Sequence, residues 1–162
     1  CYGYTIKIPR AGKFDPQKAE QNEVPRSMWS KLQKGAIIEE NGKTYTQDMI
    51  LGPERKGIKL TYCTDTRPVS QIWENAKDAD LFICEGMYGE PGKEAKAVEY
   101  KHMTFYEAAE LAKKANAKEM WLTHYSPSLV HPEEYADEVK KIFPNTKISK
   151  NGRMTTLEFE EK

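Results

Sequence analysis

This sequence has no apolar run long enough to cross a bilayer. Its longest, residues 81–84 (Leu-Phe-Ile-Cys) and 120–122 (Met-Trp-Leu), fall far short of the ~20 residues a spanning helix needs, so no membrane partner is expected. Cysteine is scarce: Cys1, Cys63 and Cys84 are an odd set of three whose spacing fits neither a zinc ribbon nor a disulfide framework. Such usage points to a reducing, cytoplasmic setting. A surplus of charge is also missing, since Lys plus Arg and Asp plus Glu each number 25; without a global basic field, any nucleic-acid partner must be met by a local patch. No internal repeat or low-complexity tract is present. There is no initiator Met and no charged-then-apolar leader, and residues 1–8 (Cys-Tyr-Gly-Tyr-Thr-Ile-Lys-Ile) read as a strand already in progress. The chain is therefore expected to begin inside a longer protein.

What is present suits a globular α/β chain. Its 162 residues suffice for one ordinary domain or half of a larger one, and a 38% apolar fraction supplies a core. Tyr2, Tyr4, Ile6 and Ile8 alternate with Gly3, Thr5 and Lys7, which predicts a strand with one buried face that stops at Pro9. Asp15-Pro16 reads as a cap followed by proline at the first helical position. Pro25 opens a second short helix containing Met28, Trp29 and Leu32. Residues 5–35 carry seven Lys or Arg against three acids, a local basic surplus. Asn41-Gly42 predicts a hairpin between residues 36–40 and 43–46. A strand over 58–64, a helix over 69–77 and a strand over 80–84 follow. Thr104 and Glu107 form a capping box ahead of a helix whose apolar face is Phe105, Ala108, Leu111, Ala112 and Ala115, and residues 120–124 form the next strand. Pro132 opens a helix through Phe143. Asn151-Gly152 is expected to separate a closing strand pair, residues 146–149 and 153–160.

Candidate chemistry sits where these elements end. Asp65 and Glu85 each follow an apolar strand-like run, as does His124, while His102 lies just before the Thr104 cap. Taken singly, each has an ordinary alternative: Asp65 could cap the helix near Val69, Glu85 could be a solvated acid, and a lone histidine is usually packed or exposed. His131 merely precedes a helix-starting proline. The repetition changes the balance, because strand ends in a layered α/β sheet converge on one edge. A convergent Asp/Glu/His/His set suits metal-assisted hydrolysis, with carboxylate and imidazole as ligands and a second histidine as proton donor. A catalytic zinc usually takes three protein ligands, and this chain by itself offers two.

The motifs Cys-Thr-Asp-Thr-Arg-Pro (63–68), Cys-Glu-Gly-Met-Tyr (84–88), His-Met-Thr (102–104) and Leu-Thr-His-Tyr-Ser-Pro (122–127) resemble, in order and spacing, the later motifs of ribonuclease Z. This is the metallo-β-lactamase-fold endonuclease family that trims the 3′ trailer from precursor tRNA. Tyr-Gly-Tyr (2–4), Gly-Lys-Phe-Asp (12–15) and Leu-Gly-Pro-Glu-Arg-Lys-Gly (51–57) fit the same family. The resemblance implies that residues 1–162 are the C-terminal half of a metallo-β-lactamase αββα sandwich, with residues 12–35 as a protruding tRNA-binding arm. It implies Asp65 and His124 as metal ligands, Asp65 bridging two zinc ions or other divalent metals. Glu85 and His102 become the pair in which the acid orients a histidine that protonates the leaving oxygen. The implied partners are precursor tRNA, the missing N-terminal half with its His-x-His-x-Asp-His run, and a second copy in a homodimer. Departures from the family's commonest form include Cys84 in place of His, Gly86-Met87 in place of Ala-Thr, and Met103 in place of Ser. The alternatives are another phosphodiesterase or hydrolase of the same fold, and a non-catalytic RNA-binding or interaction fragment.

Overall fold

In the computed structural model, residues 1–160 are described. Two compact units divide them, one made of Cys1–Ile8 with Ile58–Phe159 and the other of Pro9–Gly57 with Glu160.

The larger unit is built on a sheet. Its strands are β1 (Tyr4–Arg10, of which residues 4–8 belong to this unit), β4 (Arg55–Cys63, of which residues 58–63 do), β5 (Leu81–Glu85), β6 (Met120–Thr123) and β7 (Thr146–Ile148), in the spatial order β1-β4-β5-β6-β7. The last four run parallel, with Cys63 opposite Cys84 and Cys84 opposite Leu122. Parallel neighbours need crossovers, and three are helical: α3 (Ser70–Ala76), α5 (Phe105–Lys114) and α6 (Ala136–Ile142), with the short α4 (Glu94–Glu99) ahead of α5. Helix α5 starts where the sequence says it should. Thr104 accepts from the Glu107 N–H, Glu107 accepts from the Thr104 N–H, and the buried stripe Phe105, Ala108, Leu111 and Ala112 faces the sheet. It packs with Ile72 and Ala76 of α3 and Val139 of α6 on Phe82, Cys84, Met120 and Leu122, forming one core on one face of the sheet.

The opposite face is open along β1. Thr5 bonds the side chain of Thr61, which lies in register with the core residue Phe82. By alternation, Tyr4, Ile6 and Ile8 therefore point away from the helices. They are 61%, 58% and 49% exposed, so the expected buried face of this strand is not buried within the chain. The strand also continues through Pro9 to Arg10, which an edge position permits because the missing N–H breaks no inner ladder. The expected closing strand pair is half present. Residues 146–148 pair with β6, but residues 153–160 form no strand. After the Asn151-Gly152 turn the Arg153 guanidinium lies 5.3 Å from the Trp121 ring, which carries the segment over β6 instead of alongside β7.

The smaller unit holds α1 (Pro16–Gln21), α2 (Arg26–Gln33) and the hairpin β2 (Ile38–Glu40) and β3 (Lys43–Tyr45). Asp15 caps α1 by accepting from the Lys18 N–H at 3.0 Å. Ala19, Met28, Leu32, Tyr45 and Ile50 make its core, with Trp29 set against Phe14 at 5.0 Å between ring centres. A Cβ on Gly12 would stand 2.1 Å from the Gly52 carbonyl oxygen, so glycine is required where these two segments touch.

Candidate metal and proton-transfer site

The C-terminal ends of β4, β5 and β6 lie along one edge of the sheet, as parallel strands demand, and each delivers one side chain. Asp65 comes two residues after β4, Glu85 is the last residue of β5, and His124 is the first after β6. Asp65 and His124 turn out of their strands with φ of +51° and +59°. That left-handed region is sparsely used, and Asp and His are among the side chains that enter it most readily. His102 arrives from the segment ahead of α5, where its N–H donates to the Ala97 carbonyl at 2.9 Å and the following Met103 carbonyl accepts from the Met87 N–H at 2.9 Å.

Two pairs result. Asp65 Oδ1 lies 2.8 Å from His124 Nε2, with both side chains reaching solvent. Glu85 Oε2 lies 3.0 Å from His102 Nδ1. Glu85 is fully buried, and three donors meet its carboxylate: the Thr66 N–H at Oε1, and the Met103 N–H at 3.3 Å with the His102 ring at Oε2. The two histidine rings stand 5.3 Å apart, and ligand atoms from Asp65, His102 and His124 all lie within 4.8 Å of one another. The four residues singled out from sequence therefore converge. Two alternatives give way to this geometry: the cap of α3 is Val69, not Asp65, and Glu85 is not a solvated acid. His131 lies outside the cluster, exposed beside Glu133.

The donor set fits a divalent cation. It supplies a carboxylate and imidazoles at the surface of the unit, while the Glu85 carboxylate engages His102 through Nδ1, so Nε2 is the ring nitrogen that this bond does not use. Beneath the site, Cys63 and Cys84 sit sulfur to sulfur at 3.4 Å, and Met103 Sδ is 3.7 Å from Cys84. Burial, and then the hydrogen bond with Cys63, push the Cys84 thiol well up, so it is kept protonated as packing. Gly86 follows from the same crowding: a Cβ there would lie 2.8 Å from Phe105 and 2.9 Å from Leu122.

Sequence reasoning missed Arg67 and Glu107 as members of this neighbourhood. Arg67 Nη1 donates to the His102 carbonyl at 2.5 Å and to Glu107 Oε2 at 3.0 Å, and Nη2 donates to Glu107 Oε1. Burial would raise the Glu107 carboxyl, but the Arg67 guanidinium and the Thr104 N–H outweigh it and hold the group below its ordinary range. The available signal was an arginine two residues after a candidate ligand.

A family model for the β-lactamase superfamily domain matches residues 29–125. The chain belongs to the β-lactamase superfamily. In sequence it is 65% identical over 161 residues to ribonuclease Z of Lachnoclostridium phytofermentans, covering 99% of this chain and 53% of that protein. It is 62% identical to ribonuclease Z of Lachnospira eligens over 161 residues, with the same coverage of each chain. The chain thus spans about half the length of the curated relatives it matches. Among solved structures, the metallo-β-lactamase fold protein YhfI from Bacillus subtilis superposes with a TM-score of 0.51 at 28% identity, over 59% of this chain and 39% of that one. The sheet with helices on one face is accordingly part of a metallo-β-lactamase fold. Among the described residues, no helix is long and apolar enough to cross a membrane.

Proposed function

We propose that this chain is the C-terminal half of a metal-dependent endoribonuclease that removes the 3′ trailer of precursor tRNA. The observation that carries the reading is the convergence of Asp65, His102 and His124 within 4.8 Å, in front of a buried Glu85, in a chain 65% identical to half of a ribonuclease Z. Asp65 and His124 would hold metal, with Asp65 shared between two zinc ions or other divalent cations. The remaining ligands would come from the N-terminal half. Bound metal would supply an acidified water and a charge to meet the scissile phosphate. Glu85 holds His102 by Nδ1, so Nε2 is the atom that hands a proton to the leaving oxygen.

Two further features support the whole-protein reading. The open strip of Tyr4, Ile6 and Ile8 is the kind of face that the N-terminal layer of an αββα sandwich covers. In the smaller unit, Met28 and Trp29 are used as core, while Lys31 on α2 and Lys34 just after it stay exposed, which leaves them free to meet phosphates in an arm over residues 12–35. The complete protein would act in the cytoplasm as a homodimer.

The test uses the full-length, zinc-loaded protein. His102→Ala should lower kcat for precursor tRNA by ~10²–10⁴-fold while metal content and precursor affinity are kept. Deleting residues 12–35 should weaken precursor binding and flatten its salt dependence, yet leave hydrolysis of a small phosphodiester. Loss of zinc from His102→Ala would make that residue a ligand. Unchanged tRNA affinity after the deletion would favour a hydrolase of smaller substrates, and an inactive full-length protein would favour a non-catalytic interaction module.

A further inference from the structure

We propose that Arg67 is a positioning residue that ties the loop carrying Asp65 to the main chain of His102, and so sets the metal-binding and proton-transfer sides of the site in one register. The inference rests on the proposed hydrolytic function and adds a residue to it.

Arg67 crosses a long stretch of sequence, with partners 35 and 40 residues away. Its guanidinium serves three acceptors at once: both Glu107 oxygens and the His102 carbonyl. Glu107 Oε2 also accepts from the Thr104 N–H at 2.9 Å, so the fork is anchored to the capped first turn of α5. At the other end, Asp65 is two residues from Arg67, and the intervening Thr66 N–H donates to Glu85. The loop is therefore pinned twice, at Thr66 on the buried carboxylate and at Arg67 on the carbonyl of the histidine which that carboxylate orients.

Among the described residues, no comparable anchor holds the Asp65 side chain itself. Its side chain is 56% exposed, its backbone has a φ of +51°, and its ion-pair partner is His124. The Arg67 side chain is only 29% exposed. A bidentate fork plus a third donor in the same plane is a pattern that guanidinium satisfies, and that the compact ammonium of lysine does not. Freeing this fork lets Asp65 and the His102 main chain drift independently. Displacements of about 1 Å at a catalytic constellation cost on the order of 10²-fold in rate.

The experiment uses full-length, zinc-loaded protein and precursor tRNA. Arg67→Ala should lower kcat by about 10- to 100-fold and leave KM within about threefold. Millimolar methylguanidinium should restore part of the lost kcat where methylamine does not, and Arg67→Lys should stay impaired. A second measurement needs no turnover. In ¹H–¹⁵N spectra, the His102 ring proton shared with Glu85, assigned by its absence in His102→Ala, should be protected from exchange in the parent. It should broaden in Arg67→Ala and return with methylguanidinium. Should Arg67→Ala fail to fold, Glu107→Gln keeps a capping-box side chain, weakens the fork, and should shift the ring signal in the same direction. Unchanged kcat and ring signal in a folded variant would overturn the proposal. So would full activity in Arg67→Lys, which would leave charge alone as the requirement. A parent protein with no nuclease activity would sink the functional reading instead, while the ring signal would still judge Arg67.

Discussion

Cys63 and Cys84 face each other at 3.4 Å without being bonded, and both are buried, whereas Cys1 is exposed. Burial pushes the Cys84 thiol well above its ordinary range and so removes the reactive thiolate. Iodoacetamide at neutral pH should therefore alkylate Cys1 alone in the folded chain, and all three cysteines after denaturation, as counted by intact mass. Prompt labelling of Cys84 under native conditions would show that the strand ends open. At this same scale the sequence was most informative about which residues come together. Asp65, Glu85 and His124 stand out because each closes a short apolar run, and His102 because it precedes a readable cap. The pairing of Glu85 with His102 came from the family resemblance and not from spacing, and the contact between His124 and Asp65 was not read at all. That His124 meets Asp65 goes with left-handed turns at both residues, and no local periodicity encodes such turns. Arg67 was hidden for a related reason, since the value of a guanidinium fork lies in acceptors 35 and 40 residues away.

Among the elements, starts marked by a cap, a proline or a turn pair and strands made of short apolar runs were legible, whereas a short exposed helix and the partners of a strand were not. Asp15-Pro16 set the start of α1, Asn41-Gly42 the hairpin, and Thr104 with Glu107 the start of α5. Helix α4 has no side-chain cap and escaped notice. The alternation in residues 2–8 correctly announced a strand, but alternation reports a two-faced strand and not what covers the apolar face. Residues 153–160 show the converse error: a strand-like composition after a turn signal does not pair when its first residue is engaged with Trp121. The capping box offers a direct test. Thr104→Ala removes the acceptor for the Glu107 N–H and should cost about 1 kcal/mol by chemical denaturation, with an unchanged m-value. The start of α5 also places Glu107 for Arg67. A much smaller cost would mean that the buried Phe105 stripe alone fixes the helix.

For the molecule as a whole, the decisive feature is the uncovered strip on β1, where Tyr4, Ile6 and Ile8 are about half exposed or more. Produced by itself, the 162-residue chain should self-associate in a concentration-dependent way by light scattering, and co-production with the N-terminal half of a close relative should suppress this. A dilution-independent monomer would mean that the face tolerates water. The strip also lies on an edge strand, with β4 as its neighbour in the sheet, so main-chain donors and acceptors accompany the apolar side chains. Inside a cell, that combination is what chaperones and proteases use to recognise an unfinished protein. The amount of this chain that accumulates unaccompanied would then be set by triage at its folded surface rather than by how often it unfolds, and a partner that closes the face would lengthen its lifetime before contributing any chemistry.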